Sequence, residues 1–274
     1  MPSIYQYLFR YLKTQEVVSF GKSLFVKIGF GIIGTFIFIC LWSITGYLIF
    51  TQPGYEQFTG FLPIPTIKAF YELLFDQTFW FSVYASLRRV VLGILIAFVL
   101  GLPLGLFIGF YNRFKLITYP PIQFLRMISP LAWMPIALLV FAEFESAIYF
   151  LIAMATIWPI ALNTAFGVSR VNVQWMNMAR TQGANDIQLI LQIIIPSSIP
   201  HILASLRLAL GVAWIVLVPA EYLGISSGLG YIINDARDTM EYDRLMAIVI
   251  AIGIVGMLLD GSIKFVQNAL KQGF

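Results

Sequence analysis

The chain has 274 residues, of which 59% are hydrophobic and only 11% charged, against about 25% charged in a soluble domain. One globular core cannot hide that much apolar surface, so a soluble enzyme or binding domain is excluded and the bilayer must solvate part of the chain. A single Cys40 and a single His201 exclude an internal disulfide, a cysteine cluster and a multi-histidine metal site, and with a net charge of +4 it is the placement of the basic residues that carries information.

Crossing roughly 30 Å of hydrocarbon takes about 20 apolar residues in a helix. Six stretches qualify: Leu24–Phe50, Arg89–Phe110, Ile122–Phe141, Ile148–Phe166, Ile202–Tyr222 and Leu245–Ala269. The first run begins too late and runs too long for a cleavable signal and has no small-residue cleavage site, so it reads as a retained span. Between the first two spans, Pro63–Phe79 reads as an amphipathic helix at the outer interface. The second span holds Gly101, Gly105 and Gly109 at four-residue spacing, which predicts close packing of another helix on that face. Pro130 and Pro135 predict that the third span is bent or broken; Pro159 lies in the fourth.

Six alternating spans put Arg10, Lys13, Lys22, Lys27, Arg113, Lys115, Arg170, Arg180, Lys264 and Lys271 on one side. Lys68, Arg237 and Arg244 fall on the other, diluted by nine acidic residues. The positive-inside rule makes the first side, with both termini, cytoplasmic. Gly224–Asp238, rich in glycine, reads as an external loop.

No catalytic constellation emerges. Gly21-Lys22-Ser23 would need a glycine where Glu16 stands to complete a phosphate-binding loop, so any ATP-driven work needs another subunit. A secondary transporter or channel would need intramembrane acids for ion coupling, and the spans hold only Asp260 and the boundary residue Glu221. A membrane enzyme would need a polar cluster that the sequence does not offer.

One long polar gap stands apart. In Asn177–Pro196, "NMARTQGANDIQLILQIIIP", helix formers flank Gly183 and Pro196 ends the pattern, predicting a short helix, a turn and a second helix on the cytoplasmic side. This segment resembles the cytoplasmic coupling loop of binding-protein-dependent ABC importer permeases, whose pattern is E-A-A, three residues, G, nine residues, I-x-L-P. Ala179 matches the second alanine, and Gly183 stands nine residues before Ile193-Ile194-Ile195-Pro196; Asn177 and Met178 depart from the first two positions. Ser86–Phe110, Pro120–Phe141, Trp158–Val168 and Leu206–Asp238 look like the nitrate/sulfonate/taurine/bicarbonate branch, so the resemblance covers roughly Leu62 to Leu270.

The resemblance implies an all-α polytopic membrane protein of about six transmembrane helices with the type I ABC importer permease fold. Residues 1–61 would form a cytoplasmic tail and the first transmembrane helix, and 62–274 the permease core with its coupling loop at 167–200. It implies cytoplasmic ABC ATPase subunits that hold ATP and Mg, a second permease copy, an extracytoplasmic substrate-binding protein, and residence in the bacterial inner membrane. No cofactor or metal in this chain and no nucleic-acid partner are expected. ATPase coupling falls to Asn177, Met178, Ala179, Gly183, Ala184, Asp186 and Pro196. "ISPLAWMPIAL" favours permeases for nitrate, bicarbonate or cyanate, and "GISSGLGYIINDA" those for sulfonates and taurine; the first, a small inorganic anion, is preferred. Arg126, Trp133, Asn163, Arg207, Trp214 and Glu221 are the candidates for a translocation path, Arg126 and Arg207 alternatively being interfacial anchors and Glu221 a gate, an arginine partner or a solvated helix end.

Overall fold

The computed structural model describes residues 29–271, so Arg10, Lys13, Glu16, Gly21-Lys22-Ser23 and Lys27 lie outside the described residues. Those described are helical, with no strand among them. Among the described residues, five helices are long and apolar enough to cross a membrane, and six if one bent pair counts as a single span. The chain divides into two units, Met1–Lys68 and Ala69–Phe274.

In the first unit, α1 (Gly29–Phe50) is a span with a hydropathy of 2.1. Phe30, Phe36, Leu41 and Leu48 are exposed along it, as suits a helix solvated by acyl chains. A 3-10 turn at Glu56–Phe61 follows. Phe58 and Phe61 stack at 6.1 Å, and the Trp42 indole donates to the Phe61 carbonyl at 3.1 Å.

The amphipathic helix α2 (Pro63–Leu73) is shorter than the sequence predicts. The Asp76 carboxylate accepts from the Thr78 amide and starts a new helix, α3 (Gln77–Phe110), an ordinary N-cap. At 34 residues, α3 extends twelve residues before the predicted start at Arg89. A charge that sequence reading places at a boundary sits inside the helix, because its partners come from elsewhere in the chain.

α4 (Asn112–Met127) and the stretch Pro130–Val140, which includes α5 (Met134–Val140), form the bent pair, with an angle of 88° between them. The proline-marked third span is therefore broken, as predicted. α6 (Phe144–Ser169) returns through the centre. The predicted glycine face meets it closely. A Cβ on Gly109 would lie 2.5 Å from Val168 Cβ and one on Gly105 would collide with the Ala161 carbonyl oxygen; Gly93, which the sequence does not single out, makes the same approach, 2.5 Å from Ile152 Cγ2. Only hydrogen at these positions lets the two backbones approach so closely.

After α7 (Val173–Thr181) come α8 (Asp186–Leu189), a π-helical turn at Ile190–Ile194 and α9 (Ile195–Gly224). Pro196 does not end the helix. Asp186–Gly224 is one 39-residue span, because the π turn, in which the Ile195 amide reaches the Ile190 carbonyl, absorbs the amide that proline lacks. The predicted loop Gly224–Asp238 is mostly a helix, α10 (Leu229–Asp238). Its Gly230 serves a close approach, since a Cβ there would lie 2.7 Å from Glu221 Cβ. α11 (Tyr242–Lys271) closes the chain. The core centres on α6 and α9, where Ile148, Leu151, Ile152, Ala213, Leu217 and Ala220 pack together.

Candidate functional site

Three polar arrangements stand out against this apolar frame. The first is the segment between α6 and α9. Asn172 caps α7 by accepting from the Gln174 amide. At the other end of α7, the Ala184 amide donates to the Ala179 carbonyl and the Gly183 amide to the Arg180 carbonyl, both at 3.0 Å. These two bonds are a Schellman C-cap, whose penultimate residue must adopt a left-handed conformation. Gly183 does so, with φ +88°. Asn185 and Gln188 then form a reciprocal capping box that starts α8. The predicted helix–turn–helix is thus built from three local hydrogen-bond devices. Asn177, Met178 and Gly183 are exposed, Ala179 and Ala184 half-buried, and Pro196 exposed in the first turn of α9.

Asp186 points back toward the bundle. Its carboxylate accepts from the Tyr111 hydroxyl at 3.3 Å and from Arg180 Nη2 at 3.2 Å, tying α8 to the junction of α3 and α4. Lost hydration, and then the Asp186 carboxylate, hold the Tyr111 phenol above its usual range, so it stays a donor.

The second arrangement is a buried charge network at the far ends of α6 and α9, packed against the third and fourth turns of α3. Arg89 Nη1 donates to Glu221 Oε1 at 2.7 Å and to the Ser227 carbonyl at 2.9 Å. Its Nη2 donates to Ser227 Oγ at 2.7 Å and Glu145 Oε1 at 3.1 Å. Ser86 Oγ and the Gly230 amide donate to Glu221, and the Leu229 amide donates to Ser86 Oγ. Arg89 is 1% exposed and Glu221 fully buried, whereas the Glu145 side chain is 40% exposed. Gly228, at φ +105°, lets the α9–α10 connection lie directly on the ion pair. The sequence marks Glu221 at a helix end, with an arginine partner among its readings, and does not mark Arg89, Ser86 or Glu145. An intramembrane-class acid on one helix and an arginine twelve residues into another were the only signals available.

The third is a two-pronged ion pair between α9 and α11. Arg207 Nε and Nη2 reach the two oxygens of Asp260 at 2.7 and 2.6 Å. One turn earlier in α9, the Leu203 carbonyl accepts from the buried Gln267 amide of α11 at 2.6 Å.

The remaining path candidates do not form a single site. Arg126 is exposed in the last turn of α4. Trp133 and Trp214 are half-buried and pack on the central cluster, Trp214 covering Gly256 of α11. The Asn163 amide donates to the Pro159 carbonyl on its own helix at 2.8 Å. No group of three or more potential metal ligands occurs among the described residues.

The family of binding-protein-dependent transport system inner membrane components matches residues 101–274, well over half of the chain. The chain belongs to this family. It is an ABC importer permease, a multi-pass inner-membrane transport subunit. The bicarbonate transport system permease protein CmpB of Synechococcus elongatus is 34% identical to it over 249 residues, covering 87% of this chain and 86% of that one. The nitrate import permease protein NrtB of Synechocystis sp. is 37% identical over 194 residues, 70% of each chain. A probable ABC transporter permease of Brucella melitensis is 32% identical over 230 residues, covering 84% and 93%. The crystal structure of an amino acid ABC transporter with histidines superposes with a TM-score of 0.57 over 77% of this permease and 96% of that chain; at 16% identity it speaks for the fold alone.

Proposed function

We propose that this permease forms the translocation path of an ATP-driven importer for a small inorganic anion, nitrate or bicarbonate before cyanate, with both termini in the cytoplasm. The observation that carries the reading is the α7–Gly183–α8 knob: a compact, exposed, internally capped pair of short helices joined without interruption to the 39-residue span. Such a knob fits a groove on a cytoplasmic ATPase subunit. ATP and Mg belong to that partner, and closure of its dimer pushes the knob and rocks the permease between outward and inward access. Residues 62–274 act as the permease core and 1–61 as a tail and first membrane helix. A second copy of the permease completes the path, and a binding protein outside delivers the substrate. Asn177, Met178, Gly183 and Ala184 meet the ATPase, while Asp186 and Pro196 hold the knob in place. The names of the bicarbonate and nitrate relatives favour a small oxyanion over a sulfonate.

Of the path candidates, Arg207 acts as half of a charge-compensated pair with Asp260, and Trp133 and Trp214 as packing that shapes the path; Asn163 and Arg126 line or border it. Purifying the tagged permease from its native membrane in mild detergent tests the assembly. A stoichiometric ATPase subunit whose hydrolysis rises with binding protein and nitrate or bicarbonate supports the reading. Stimulation by taurine instead moves the substrate to the sulfonates, and a permease that purifies alone from several mild detergents sinks the assembly.

A further inference from the structure

The buried charge network has one side open to solvent. Arg89 is held between two carboxylates of different standing. Glu221 is fully buried and takes further hydrogen bonds from Ser86 and the Gly230 amide. Glu145, in the first turn of α6, is 40% exposed. Each of its oxygens has one donor: Oε1 receives Arg89 Nη2 at 3.1 Å, and Oε2 receives the Tyr149 hydroxyl at 3.0 Å. Rotation of the Glu145 side chain toward solvent would leave an arginine N–H and a phenol O–H converging on a place shaped for the flat two-oxygen edge of a carboxylate. The pair Arg89–Glu221 stays fixed when that happens, because all of its other bonds run to Ser86, Ser227 and Gly230.

We propose that the Glu145 carboxylate occupies a binding site for a planar oxyanion at the end of the permease opposite the coupling loop, and that nitrate or bicarbonate displaces it there. Both anions present the same flat edge of two equivalent oxygens, one to Arg89 Nη2 as a charge-assisted hydrogen bond and one to Tyr149 Oη. The exchange swaps one negative charge for another and leaves the charge balance of Arg89, Glu221 and the neighbouring Arg88 unchanged; an anion added without displacement would bring a third negative charge to Arg89. Tyr149 supplies the second donor, and loss of a hydrogen bond to a charged group is costly where water does not replace it. Linear cyanate and spherical chloride lack the two-oxygen edge. The proposal rests on the anion reading of the function and narrows it to trigonal oxyanions.

The test uses the purified permease–ATPase complex in nanodiscs without its binding protein, with broadening of the 15N-nitrate resonance as the readout. The wild-type complex is expected to broaden the line, with bicarbonate and not chloride at equal ionic strength relieving it. Added to Glu145→Gln, where no carboxylate competes for the phenol, Tyr149→Phe is expected to weaken nitrate binding about tenfold, the equivalent of one lost charged hydrogen bond of about 1.4 kcal/mol. Glu145→Gln should strengthen it several-fold, since a neutral amide competes poorly for both donors. Opposite signs in two variants of one cluster distinguish a site from general damage, which would weaken both. No broadening by the wild type, relief by chloride, or loss in both variants overturns the proposal. ATP-dependent anion uptake by the same complex in proteoliposomes with its binding protein separates the levels: uptake without broadening removes this site alone, whereas no uptake of either oxyanion removes the functional reading and this site with it.

Discussion

Arg89 and Glu221 stand 132 residues apart in sequence and meet at 2.7 Å, buried, with a glycine connection lying across them. The pair joins α3 to α9, and Ser86, Glu145 and the start of α10 complete the joint. The knob lies at the other end of the same helices. A displacement of the knob would therefore act on helices joined at the far end, which suits rigid-body motion.

Breaking this pair should be costly, because the surviving charge stays buried. Glu221→Leu is expected to lower stability by about 3 kcal/mol. Arg89→Leu combined with Glu221→Leu should cost less than the sum of the two single changes, since no lone charge remains. Unfolding of the purified protein by titrated denaturing detergent measures this, and strict additivity would count against a direct pairing.

The glycine face of α3 makes a contrast within one protein. Gly105→Ala places a methyl against the Ala161 carbonyl and is expected to cost about 1–3 kcal/mol. Gly253→Ala in α11 meets nothing within 4 Å and should be neutral or slightly stabilising through helix propensity. The same unfolding assay on both variants is the check; equal effects would show that α3 and α6 do not approach as described.

Gly183 is constrained by its backbone and not by its surroundings. No atom lies within 4 Å of a Cβ there, yet φ is +88°. Gly183→Val should therefore strain the Schellman turn by about 1–2 kcal/mol and misplace the knob, whereas Gly183→Asn, which tolerates the left-handed region, should keep most function. The expected result is normal membrane insertion with fewer anions moved per ATP hydrolysed for the valine variant. Unchanged uptake in Gly183→Val would argue strongly against a coupling role.

At the α9–α11 seam, Arg207→Lys removes the two-pronged geometry but keeps the charge. Transport should fall moderately in Arg207→Lys and further in Asp260→Asn, which leaves the arginine without its counter-charge. Uptake rates normalised to membrane protein test the order; a harmless Asp260→Asn would make the pair an ornament of the surface.

What the sequence made legible follows how local each signal is. The glycine spacing of α3, the break at Pro130 and the turn at Gly183 are set by residues within one or two turns, so they could be read directly. Arg89 could not. Its burial depends on Glu221, Ser227 and Glu145, brought in from three other parts of the chain, and a charged residue at the head of an apolar run looks like a boundary. Pro196 misled for a related reason: a proline signals a helix end unless the preceding turn widens, and the Ile190–Ile194 run, which does widen, carries no sequence mark of it. Gly230 suggested a loop because close backbone approach and turn formation call for the same residue.

ATP-driven anion import by this permease is open to a direct test. The direct measurement is uptake of labelled nitrate or bicarbonate into proteoliposomes that hold the copurified complex, with binding protein outside and ATP inside. Uptake is expected to need both ATP and the binding protein and to be uncoupled from hydrolysis by Gly183→Val. Comparable flux with ATP left out, or with the permease reconstituted alone, would contradict it and make the protein a channel or secondary transporter.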